Sequence, residues 1–185
     1  MTDHISRLRW LRLGATPRLM PKGVFSFVVT GVVATALTGA LLATPASGTL
    51  SSTILARAAF VETVDVKFKV TDGHQEVIHV PDAQDTVIQQ VVLAPRGQSG
   101  WHSHPGPVVV LVKSGEVTFY DGESSQCIAT TYVAGQAFID RGQGHVHLAG
   151  NLSTTSNAEL WFTYFDVPPG ATPRIDVPNP GNCPF

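Results

Sequence analysis

GWHSHPGPVVVLVKSGEVTFYDG, residues 100–122, is the stretch on which the fold turns. Its apolar run, PVVVLV, is bounded by His-Pro-Gly on one side and Ser-Gly on the other, the signature of a short buried strand. A second strand, EVTFYDG, follows across the Ser114-Gly115 turn. Two histidines, His102 and His104, stand one residue apart at the mouth of the run. Side chains on a strand alternate between faces, so these two imidazoles project the same way.

The same pattern continues outward in both directions. Val64, Val66, Phe68 and Val70 alternate with charged residues, as in a half-buried strand. Further strands are expected at 76–80, 86–94, 130–135, 136–140, 145–151 and 158–167, punctuated by turns such as DGESS, DRGQG and NLSTTSN. No stretch after residue 60 carries helical periodicity over a helix's length. The chain is therefore expected to be all-β, and strand spacing alone does not choose between a sandwich and a barrel.

Composition bounds the rest. With 185 residues, 43% hydrophobic and 14% charged, the chain suits one globular domain. Residues 1–46 differ: Arg7, Arg9, Arg12, Arg18 and Lys22 precede the uncharged run at 23–43, and a small-residue stretch follows. That layout predicts an export signal, or an uncleaved helix anchoring the protein to a membrane. Residues 47–60 read as a lead-in and 61–185 as the domain with its tail. Without residues 1–46, which hold five basic and one acidic side chain, seven basic and thirteen acidic ones remain. Such a surface repels phosphate backbones and disfavours nucleic acid as a partner.

Cys127 and Cys183 both lie in the exported part, where thiols tend to pair. A bridge between them would pin the proline-rich tail PRIDVPNPGNCPF against the body. Six histidines follow residue 46, and four of them form two His-x-His pairs, His102/His104 and His145/His147. Random placement gives only about 0.3 such pairs. Four buried imidazoles would each need a donor and an acceptor satisfied, a need that a divalent transition metal meets. His74 and His79, outside the pairs, read as ordinary hydrogen-bonded residues.

On these residues the sequence resembles the cupin superfamily, whose first motif is a glycine, a His-x-His pair, a glutamate and a closing glycine. His102, His104 and Gly115 fill their places, but the glutamate slot falls on Val108. The second motif matches through Gly144, His147 and Asn151 when anchored on His147, whereas anchoring on His145 puts Ala149 where asparagine belongs. The better match favours His147 over His145 as the third histidine of the family's set, with His145, facing the same way, as a candidate fourth ligand. The resemblance covers roughly residues 85–168 and extends to small exported cupins with HSHPGP, GHVH and a PNPGNCPF tail.

What the resemblance implies is a single jelly-roll β-barrel with His102, His104, His147 and His145 around a divalent metal, whether Fe, Ni, Cu, Zn or Mn. It implies a small-molecule ligand or substrate and, as in many family members, a homodimer. The expected function is an exported metal-dependent enzyme of oxygenase type, with a non-catalytic metal- or ligand-binding module as the alternative. With the glutamate missing, Asp140, Tyr120 and Gln136 are the side chains to consider as a base. Phe138, Trp161, Phe162, Tyr164 and Phe165 are the candidates for an apolar pocket.

Overall fold

The computed structural model describes residues 43–72 and 74–183. The run at 23–43, and with it the helix expected there, falls outside them except for Ala43. No helix among the described residues is long and apolar enough to cross a membrane. The described residues form twelve strands and no helix. In chain order these are β1 (Ser47–Ala59), β2 (Val66–Asp72), β3 (His74–Val80), β4 (Asp85–Gln98), β5 (His102–Ser103) and β6 (Val108–Ser114). There follow β7 (Glu116–Asp121), β8 (Ala129–Val133), β9 (Ala137–Asp140), β10 (His147–Gly150), β11 (Ala158–Val167) and β12 (Ile175–Asp176).

Ten of the strands join one sheet that folds over on itself into a nearly closed barrel. One side runs β1-β4-β11-β6-β9 and the other β12-β5-β10-β7-β8, with β4 and β10 joined at Gln98 and Gly150. β2 and β3 form a separate hairpin, attached through Phe68, whose ring meets Phe165 edge-on at 5.6 Å.

The valine run reads out as its pattern predicts. Val108, Val110 and Val112 are buried, while Leu111 and Lys113 face outward. Each inward valine contributes roughly 1.5–3 kcal/mol by leaving water. Their register sets the inner wall in rows: Val108 lies opposite Asp140 on β9 and Tyr164 on β11, and Val110 opposite Phe138 and Phe162. A slip of one residue would turn every inward side chain to the surface, so the apolar pattern holds this register.

Two sequence expectations change. Residues 47–60, read as a lead-in, form the long strand β1, which pairs along β4 from Ser47↔Gln98 to Ala59↔Asp85. The second histidine pair does not share a strand: β10 begins at His147, and His145 lies in the turn before it.

Candidate metal centre

The two histidine-bearing loops touch through glycine. The His-Pro-Gly-Pro turn brings Gly106 against Gly142 of the Asp-Arg-Gly-Gln-Gly turn, where φ is +59° and any Cβ would run into the Gly106 carbonyl. Only glycine tolerates both the left-handed backbone and that approach.

This contact, with the β5–β10 pairing of His102 and His147, gathers three rings. His102, His104 and His147 are 6%, 3% and 3% exposed, and each offers a ring nitrogen within 4.8 Å of the others. Their second nitrogens share one arrangement. The Nδ1 atoms donate to backbone carbonyls: His102 to Gly100 at 2.8 Å, His104 to Pro173 at 2.6 Å and His147 to His145 at 3.2 Å. Carbonyls accept and never donate, so Nδ1 carries the proton and each Nε2 is left with its lone pair. Phe119 stacks on His147 with centroids 4.6 Å apart and fixes the plane of that ring.

Burial disfavours the charged form of all three rings. It pushes His147 down to about 3, against the pull of Asp140. It also drives His102 well below the ordinary range, helped by the neighbouring His147 and His104, and lowers His104 against Asp140. Three neutral lone pairs face each other with no donor among them, and a cation satisfies all three at once. A ring nitrogen donated to a backbone carbonyl is also the usual support for a metal-bound imidazole. The residues therefore fit a divalent transition metal, which His102, His104 and His147 would hold.

His145 stands apart from this trio. Both of its nitrogens are bound to carboxylates, Nδ1 to Asp140 and Nε2 to Asp121, each at 3.1 Å. Burial lowers its pKa, but the two carboxylates outweigh burial and raise it. It belongs to a second cluster with Asp140 and His147, whose ligand atoms also lie within 4.8 Å of one another.

The carboxylate missing from the valine strand is found on the next one. Asp140, 3% exposed, sits on β9 directly across from Val108, the empty glutamate slot. Facing residues of an antiparallel pair share a sheet face, so Asp140 points into the same interior. Its Oδ1 accepts from the Gly142 N–H and from His145, while Oδ2 makes no hydrogen bond and lies 3.6 Å from His104 Nε2. Burial raises its pKa, but the histidines and the Gly142 N–H reverse that and hold it well below the usual carboxylate range. The other two base candidates are elsewhere. Tyr120 packs near the Trp101–Cys183 cluster, and Gln136 accepts from Val133 N–H in an exposed turn.

The trio opens on a cavity of about 220 Å³ inside the barrel. Phe119, Phe138, Phe162 and Leu160 line it, and Tyr164 donates to Gln89 across one side at 2.7 Å. Of the aromatic candidates, Trp161 faces outward and Phe165 packs against the β2–β3 hairpin, while Phe119 and Arg174 are additions that sequence reasoning missed. Arg174 arrives with the tail. Cys127 and Cys183 form a disulfide, and β12 pairs with β5, placing Asp176 opposite His102. The second-motif Asn151 is structural: its amide donates to Leu93 O, Ala94 O and Ser156 O, tying the end of β10 to β4 and the β11 approach.

No family model and no curated protein matches the sequence. Solved structures do. An oxalate oxidase in complex with the substrate analogue glycolate is 23% identical over 44% of this chain and 41% of its own, with a TM-score of 0.39. The chain thus spans about two fifths of that protein's length. A cupin domain from Bordetella pertussis is 16% identical over 58% of this chain and 99% of its own, with a TM-score of 0.38. A polyketide cyclase from Streptomyces resistomycificus is 13% identical over 72% of this chain and 80% of its own, with a TM-score of 0.42. The likeness is one of fold, and the proteins this chain is similar to are cupins and double-stranded β-helix proteins.

Proposed function

We propose that this is an exported cupin in which His102, His104 and His147 hold a divalent transition metal, and that it acts as a metal-dependent enzyme of oxygenase type on a small organic molecule. The observation that carries the reading is the shared arrangement of the trio: each Nδ1 spent on a backbone carbonyl, and one ring nitrogen of each buried imidazole within 4.8 Å of the others. Three protein ligands leave open positions, and a bound metal would supply Lewis acidity or redox chemistry there. The chain's own residues do the remainder. The aromatic walls exclude water from a bound ligand, and Asp140 holds a negative charge beside His104 and His147. The disulfide supports an oxidising compartment.

Metal content of protein purified from its native compartment, followed by oxygen uptake with phenolic, thiol and diketone substrates, tests the reading. Stoichiometric metal with turnover of one substrate is the expected result. Stoichiometric metal with ligand binding but no oxygen uptake would make it a binding module. His104→Ala should abolish metal binding, whereas His145→Ala should leave a three-histidine site loaded. Full metal in the His104 variant would overturn the assignment.

A further inference from the structure

The described tail carries a cation into the site. Arg174 lines the same cavity as His102 and His104 and directly follows Pro173, whose carbonyl anchors His104 Nδ1. Its side chain is 30% exposed, and its Nε donates to Asp176 Oδ1 at 2.6 Å. Its two terminal nitrogens make no hydrogen bond or ion pair with any described residue. A guanidinium fixed at Nε presents those two N–H groups as a planar fork, the geometry that takes a carboxylate in two parallel hydrogen bonds.

The charge around the fork points the same way. Both nitrogens of His145 face carboxylates, those of Asp140 and Asp121, and Asp176 meets Arg174 at Nε alone. A divalent metal on the trio would leave the pole of the cavity positive. Much of the remaining lining is flat and apolar, from the rings of Phe119, Phe138 and Phe162. At about 220 Å³ the space is smaller than the roughly 300–1,000 Å³ that holds drug-sized ligands.

We propose that the cavity selects a small carboxylic acid with a flat apolar body, its carboxylate seated on the Arg174 fork beside the histidine trio and its body between the phenylalanines. This deepens the metal-enzyme reading and rests on it for the second positive pole; Arg174 is the specificity-determining residue.

The test uses benzoate and its neutral isostere benzamide, titrated calorimetrically into Co(II)-loaded full-length protein, with Co(II) uptake followed separately by its visible absorption. Wild type should bind benzoate at least tenfold more tightly than benzamide. Arg174→Gln should weaken benzoate by about tenfold to a hundredfold, the value of a charge-assisted pair, and leave benzamide and Co(II) uptake unchanged. Asp176→Asn approaches from the other side: it removes the negative charge at Nε while the amide oxygen can still accept there, and should tighten benzoate severalfold. Equal affinity of wild type for the two probes, no benzoate binding at all, or unchanged benzoate affinity in Arg174→Gln would each overturn the proposal. Failure of wild type to take up Co(II) would instead refute the metal reading, and a benzoate preference that survives it would still belong to Arg174.

Discussion

Replacing both cysteines, Cys127→Ser with Cys183→Ser, is the perturbation whose cost can be worked most directly. The bridge joins residues 56 apart. Closing a loop of that length removes chain entropy from the unfolded state worth about 4 kcal/mol at 25 °C. For a domain of this size, each kcal/mol corresponds to about 3 °C in melting temperature, so the double variant should melt roughly 10–15 °C lower. The loss should also be felt in the site. Without the bridge, the tail keeps the side-chain bonds of Asn182 to Gly122 O and Ser124 O, the Val177 N–H to Trp101 O, the Ala43–Pro178 bridge and the two-residue pairing of β12 with β5. Those few contacts then hold the Pro173 carbonyl on His104 and Arg174 at the cavity. Calorimetry of the oxidised wild type against the double variant measures the first effect, and a Co(II) titration measures the second. A melting temperature within about 3 °C of wild type, with Co(II) affinity unchanged, would refute the idea that the disulfide secures the tail to the barrel.

Other outcomes follow from the packing and the charges. Leu160, 1% exposed between Val112 and Val91, should cost about 2–5 kcal/mol as Leu160→Ala; a urea midpoint near that of wild type would show the barrel interior to be loose there. Gly142→Ala forces a Cβ into the Gly106 carbonyl at a left-handed φ, so it should lower both the melting temperature and Co(II) uptake, and normal values of both would remove the glycine contact from the account. Metal-free protein should lose stability as pH falls below about 6.5. There the unfolded chain protonates His147 at its ordinary value, while the buried ring resists down to about 3, a difference of about 1.4 kcal/mol per pH unit for that ring. His102 and His104 act in the same direction, and His145, whose pKa is raised, offsets part of it by favouring the fold below 6.5. Equal urea midpoints at pH 7 and pH 5.5 would contradict this sign.

How far the sequence reaches depends on which forces set each part. β11 appears with the ends read for it, 158–167, because its inward Leu160, Phe162 and Tyr164 recur every second position. Shared facing relates residues only within each histidine pair, so a site joining His102 to the second pair rests on the family resemblance, and the β5–β10 ladder is what sets His147 opposite His102. β1 was missed because SGTLSSTILARAA is held mainly by backbone hydrogen bonds to β4, which carry no side-chain signature, and most of its side chains are exposed. Grouping His145 with His147 presumes one continuous strand, but the Gly142-Gln143-Gly144 turn, with φ positive at all three residues, delays β10 until His147. Arg174 could not be reached from local pattern, because the tail's return to β5 is secured by a bond between residues 56 apart.

The pairing of Val108 with Asp140 makes acidity in this barrel a property of a lateral row. Neighbours in such a row stand about 5 Å apart at Cβ, so the acid can trade places with an aliphatic side chain while the backbone stays still. Exchanging the two, Val108→Glu with Asp140→Val, would shift the negative charge by one strand spacing and release His145 from one of its two partners. Linear spacing would register that exchange as a gained motif, although the interior would have kept its carboxylate throughout.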